Sequence, residues 1–127
     1  MASITRPQPC CRDGGDDLVV PETLDQHTWE DYLSIGKVLL MLGKTSCRVC
    51  AEWTLELTDW QSPHPELKVA KILLDQSGLG RFKMENPWLV DVDLLPWNVL
   101  FVDGEPLEQW AGAGLARLEN RLQRIMS

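Results

Sequence analysis

The chain has 127 residues, 44% of them hydrophobic, which suits one domain with a core of its own. Its formal charge of −7 excludes a surface built to bind nucleic-acid phosphates, because that affinity rests on clustered Lys and Arg. The longest apolar run, residues 38–42, falls far short of the ~20 residues of a membrane span.

In chain order, residues 1–17 carry Pro, Gly, a Cys10-Cys11 pair and Asp16-Asp17 without periodicity, and are expected to form a flexible tail ahead of one domain at 18–127. No apolar leader is present in that stretch, so a cytoplasmic location is expected. Residues 18–20 suggest a short strand limited by Pro21. Thr28 to Asp31 resembles a capping box with Asp in place of Glu. Trp29, Tyr32 and Leu33 follow at helical spacing and Gly36 can terminate the segment, predicting a helix near 25–35. The continuous apolar run at 37–42 predicts a strand covered on both faces.

After Cys50, the apolar Trp53, Leu57 and Trp60 alternate with Glu52, Glu56 and Asp59 as in an amphipathic helix that Pro63 and Pro65 end. Residues 67–74 read as a second buried strand, reached in parallel through that helix. The stretch 75–95 is the least regular, with a short helix expected at 79–85. Residues 97–102 predict a strand, Asp103-Gly104 a hairpin turn, and 107–111 the returning strand. Leu115, Leu118, Leu122 and Ile125 form the apolar stripe of a last helix. The resulting order, β-α-β-α-β-α-β-β-α, is an α/β fold with a central mixed sheet and helices on both faces.

Four cysteines in a chain expected to be cytoplasmic point to redox chemistry or metal ligation before a disulfide framework. Cys47-Arg48-Val49-Cys50 lies between a buried strand and the first turn of a helix, where unpaired backbone N–H groups favour a thiolate at Cys47. Cys50, one turn later, is within reach of a disulfide and suits a resolving thiol. Arg48 adds a positive charge that favours the thiolate. Two blander uses stay open here: buried small hydrophobes, or half of a zinc site, although Cys10-Cys11, His27 and His64 supply no matching half. Cys10-Cys11 could also exchange electrons with the dithiol. Of the six tryptophans, Trp53 and Trp60 read as core, while Trp88 and Trp97 sit in or beside loops.

Residues 38–43 leading into Cys47-Arg-Val-Cys50, then 69–76, Leu95-Pro96, 100–105 and 111–113, resemble the thioredoxin family over roughly residues 18–126. The resemblance implies the thioredoxin fold, an attacking Cys47, a resolving Cys50, and a cis-proline at Pro96 which, with Leu95 and Trp97, presents the substrate-binding backbone. It also implies site-tuning roles for Ser46, Arg48 and Val49, which replace the family's Trp and Gly-Pro. Met41 replaces the family's buried aspartate, the usual proton acceptor for the resolving thiol.

The function this implies is thiol–disulfide exchange with one or a few protein partners through a Cys47 mixed disulfide. The longer segment before Pro96 and the missing carboxylate argue against broad reductase use. The alternative is a non-catalytic binding or chaperone module on the same fold. No cofactor, metal, nucleic-acid or membrane partner is expected, a monomer is expected, and the reductase or oxidant that recharges the site is unspecified.

Overall fold

The apolar run at 37–42 becomes the central strand of the computed structural model, which describes residues 21–60 and 65–126. The elements are β1 (Glu22–Leu24), α1 (Trp29–Ser34), β2 (Lys37–Gly43), α2 (Arg48–Asp59), β3 (Lys68–Leu73), α3 (Gly80–Glu85), a 3₁₀ helix (Pro87–Asp91), β4 (Trp97–Val102), β5 (Glu105–Ala111) and α4 (Leu115–Met126). They form one five-stranded mixed sheet in the order β1-β3-β2-β4-β5. β1, β3 and β2 run parallel, and β4 and β5 run antiparallel to their neighbours.

Alternation along β2 explains why its run is continuous. Val38, Leu40 and Leu42 pack with Trp29, Leu33 and Phe82 of α1 and α3, whereas Leu39 and Met41 pack with Trp53, Leu57, Leu118 and Leu122 of α2 and α4. All five β2 residues are fully buried, as a strand sandwiched between helix layers requires. The amphipathic stripes of α2 and α4 both face this second layer.

The hairpin also forms as expected. Asp103 (φ 50°) and Gly104 (φ 90°) take the paired positive φ values that Asp-Gly accommodates best. The Asp103 carboxylate accepts from Gly36 N–H at 2.8 Å, and Asp103 N–H donates to the Gly36 carbonyl at 2.9 Å. The turn is thereby pinned to the end of α1, where Gly36 (φ 79°) stops the helix.

Four features depart from the expected elements. The expected tail and the strand at 18–20 lie outside the described residues. The edge strand seen begins at Glu22, just past Pro21, which has no N–H to give a ladder. α1 starts four residues later than expected, at Trp29, because 25–28 form a turn of their own. In it the Asp25 carboxylate accepts from His27 N–H and the Thr28 hydroxyl, while that hydroxyl accepts from Asp25 N–H. Thr28 therefore makes no side-chain cap on the helix. The His27 N–H bond is the main reason the Asp25 carboxyl lies below the usual range.

β5 starts at Glu105, ahead of the expected 107, and takes in Pro106. Pro106 faces Phe101 and Glu108 faces Leu100, so Leu107 is an extra, bulged residue and half exposed. Finally, the 3₁₀ helix was not expected. It opens on Pro87, whose fixed φ suits a first helical position.

Candidate functional site

The site is built where β2 runs out. Gly43 closes the strand, and a Cβ there would lie 3.0 Å from Cys50 Cβ and 3.1 Å from its Sγ. A side chain at this position would push directly on the second cysteine, so the close approach requires glycine. The chain then turns through Lys44, Thr45 and Ser46, with Cys47 N–H donating to the Lys44 carbonyl at 3.1 Å.

Cys47 is the N-cap of α2, in extended conformation, and its Sγ accepts from Cys50 N–H at 3.1 Å. Sulfur thus occupies the place where a capping oxygen usually meets the free N–H groups of a helix start, the environment that favours a thiolate. Cys47 and Cys50 are joined as a disulfide with Cα atoms 5.2 Å apart. Cys47 is half-buried, whereas Cys50 is 2% exposed. An incoming sulfur therefore meets Cys47 first.

The loop ahead of Cys47 is held from β3. Asp75, just past that strand, accepts from Thr45 N–H at 3.2 Å and from the Thr45 hydroxyl at 3.1 Å. Some loss of solvation pushes the carboxyl of the exposed Asp75 up, but the two Thr45 bonds and the nearby Lys44 charge outweigh it and hold the group below its ordinary range. Neither Asp75 nor Thr45 stood out in the sequence, since the contact spans 30 positions.

Replacing Asp75 with Asn is expected to slow thiol exchange at Cys47 by up to about tenfold, well short of the ~10² that a full ångström of misplacement can cost. A carboxyl with a lowered folded pKa is ionised, and its clasp intact, above the usual carboxylate range. The clasp weakens as pH falls through that lowered value. The difference between wild type and Asp75→Asn should therefore shrink in acid, which rate measurements against pH will show.

Arg48 stands 91% exposed and lies 3.6 Å from Glu52 one turn on, so the field it exerts at Cys47 is that of a solvated, partly neutralised pair. Ser46 is exposed and Val49 is 48% exposed. Met41, fully buried, sits in the position the resemblance assigns to a carboxylate, and its Sδ lies 3.4 Å from the same Gly43 Cβ point that Cys50 Sγ approaches. The register places Lys71 of β3 beside it. The second sulfur thus shares a buried cluster with a thioether.

Trp97 opposes Leu42 across the antiparallel pair, so the residues before it lie at the same end of the sheet as the Cys47 loop. The Leu95–Pro96 bond is cis, and the Pro96 carbonyl accepts from Gly112 N–H at 2.8 Å. Leu95 packs into the cluster that holds Cys47 and Cys50. The Trp97 ring packs instead toward the α1 and α3 layer, and its N–H donates to Gln109 at 3.1 Å. Trp88 packs on that same layer, near Phe101.

Beside the dithiol loop opens a cleft of about 460 Å³ floored by Leu74, Leu89, Val90 and Val92. Lys44, Asp75 and Lys83 provide its charged lining. Half of its apolar floor comes from the 3₁₀ segment, where Val90 is 87% exposed. The sequence signal that could have marked this surface is the setting of apolar Val90 and Val92 among Asp91 and Asp93.

No family model and no curated protein matches the chain. Solved structures do. Thioredoxin f2 of Chlamydomonas reinhardtii superposes with a TM-score of 0.66 at 17% identity, covering 81% of this chain and 94% of that one. The short form of spinach chloroplast thioredoxin f gives 0.68 at 13% identity, covering 84% and 93%. Oxidised mitochondrial thioredoxin 3 of Saccharomyces cerevisiae gives 0.63 at 20% identity, covering 81% and 93%. At such identities the likeness is one of architecture, and together with the strand order and the paired cysteines it makes this chain thioredoxin-like in fold.

Proposed function

We propose that the chain is a thiol–disulfide oxidoreductase that exchanges its Cys47–Cys50 disulfide with one or a few protein partners. The observation that carries this reading is the asymmetry of the pair. One sulfur caps a helix and is open to attack, and the other is buried one turn behind it, bonded to the first. A partner thiolate attacks Cys47 Sγ, the Cys47–Cys50 bond breaks, and its electron pair leaves on Cys50. In the reverse direction Cys50 must lose its proton before it can resolve the mixed disulfide. With Met41 in place of a carboxylate, that proton goes to water or hydroxide.

General-base assistance commonly supplies ~10²–10⁴ in rate, so the resolving step is expected to be slow and to accelerate as pH rises. This supports selective use with a long-lived mixed disulfide over rapid reduction of many substrates. Equilibration of the full chain with glutathione buffers, followed by mass, tests the reading. A reversible Cys47–Cys50 couple is expected. A pair that does not respond to the buffer would return the chain to the alternative of a binding or chaperone module that keeps the fold without the chemistry.

A further inference from the structure

We infer that the dithiol also has a substrate in cis: Cys11 exchanges with Cys47 while the acidic residues that follow it, Asp13, Asp16 and Asp17, rest in the cleft flanked by Lys44 and Lys83. This rests on the exchange reading above and adds the partner.

Reach permits it. β3 separates β1 from β2, so two strand spacings, about 10 Å, lie between them. Glu22 is level with Leu40 through Ala70, and Cys47 is seven residues beyond Leu40, at most ~23 Å along the strand direction. Glu22 and Cys47 are therefore within roughly 25 Å of each other, whereas the eleven residues from Cys11 to Glu22 span up to ~36 Å when extended. A tether of this length presents its thiol at an effective concentration of about millimolar.

Charge and position point to the cleft. Its wall, Leu74-Asp75, follows directly on β3, and the Gln76 side chain ties this segment to β1 by donating to the Leu24 carbonyl at 3.1 Å. A chain running from the start of β1 toward Cys47 passes this wall. With the ionised Asp75 counted against Lys44 and Lys83, the charged lining keeps one net positive charge, of the sign that suits an incoming acidic stretch.

The step balances within the chain. Cys11 gives up a proton and its thiolate attacks Cys47 Sγ. The Cys11–Cys47 bond forms, the Cys47–Cys50 bond breaks, and Cys50 leaves with the electron pair and takes a proton. Attack by Cys10 on Cys11 would have to close a disulfide between adjacent residues, whose Cα atoms stand ~3.8 Å apart, under the ~4.4 Å at which disulfides usually begin. Exchange therefore goes no further along the tail than the Cys11–Cys47 bond, which shields Cys47 until Cys50 or an outside thiol displaces Cys11.

The test uses the full chain with Cys50→Ser and oxidised glutathione as probe. Glutathione first loads on Cys47 and is then displaced by Cys11, leaving an intrachain Cys11–Cys47 disulfide by peptide mapping. Its yield should be unchanged by ~100-fold dilution of the protein, as an intramolecular reaction requires. Adding Cys11→Ser leaves glutathione on Cys47, and adding Lys44→Glu with Lys83→Glu slows closure at least about tenfold at low salt. Glutathione retained on Cys47 with Cys11 free, or a Cys11 cross-link only between chains, overturns the inference and leaves the exchange reading standing. Failure of Cys47 to take up glutathione at all overturns both.

Discussion

Cys47→Ser is expected to abolish disulfide exchange, and Cys50→Ser combined with Cys11→Ser to leave a chain that captures a partner and cannot let it go. The two cysteines are not equivalent: Cys47 caps α2 and is half-buried, while Cys50 is buried close to Gly43 in the cluster that also holds Met41. A serine hydroxyl is not ionised near neutral pH and cannot stand in for the thiolate, so Cys47→Ser should lose at least ~10³ in exchange rate. Cys50→Ser keeps the attacking sulfur and removes the resolving thiol, and Cys11→Ser beside it removes the other intramolecular route off Cys47. The mixed disulfide of this double variant should survive isolation without added thiol and be recoverable by non-reducing gel and mass. Equal rates for wild type and Cys47→Ser would end the proposal that this pair carries the activity.

Asn98→Ala should be strongly destabilising. Asn98 is fully buried on β4, and its carbonyl oxygen accepts from the Trp53 indole N–H at 2.8 Å. Its amide donates to the Gly112 carbonyl at 2.8 Å and to that of Trp110 at 3.4 Å. One polar side chain thus joins α2 to β5 through the interior, and Trp53 lies one turn behind Cys50.

Removing it strands a fully buried donor, which costs ~1–3 kcal/mol, and opens a small cavity besides. A total near 3 kcal/mol lowers the melting temperature by roughly 10 °C or more in a domain of this size. If the donor's isolation is the cause, Trp53→Phe in the Asn98→Ala background should restore part of the loss. Additive losses in a denaturant double-mutant cycle would instead assign the effect to packing.

What could be read from the sequence was what is written locally. The run at 37–42, the Asp103-Gly104 turn and the stripe of α4 each carry their own periodicity or dihedral demand, and each forms where expected. The dithiol was legible for the same reason, since a strand, two cysteines three apart and a helix are contiguous. Features set by distant partners were hidden. β1 is defined by pairing with β3, the bulge at Leu107 by the register with β4, and the Thr45–Asp75 clasp by the sheet bringing two loop ends together.

Arg48 shows a different limit. Glu52 at the i+4 position was visible, but which neighbour the guanidinium turns to is decided by its exposure at the helix start. Asn98 was overlooked although one amide inside the run 97–102 is itself a signal. A polar residue in a buried strand demands partners, and here they are an indole and two carbonyls.

The bulged β5 bears on how the chain behaves in a crowded solution. An outer strand with a free row of N–H and C=O groups is a template on which another chain can zip up. Here Pro106 removes one donor from that row, Leu107 breaks its spacing, and Glu108 is drawn toward Arg121 and Arg124 of α4. The opposite border, β1, is three residues long. Both margins of the sheet are therefore poor templates, so a chain proposed to meet its partners at one sulfur is guarded against fusing with them along its backbone.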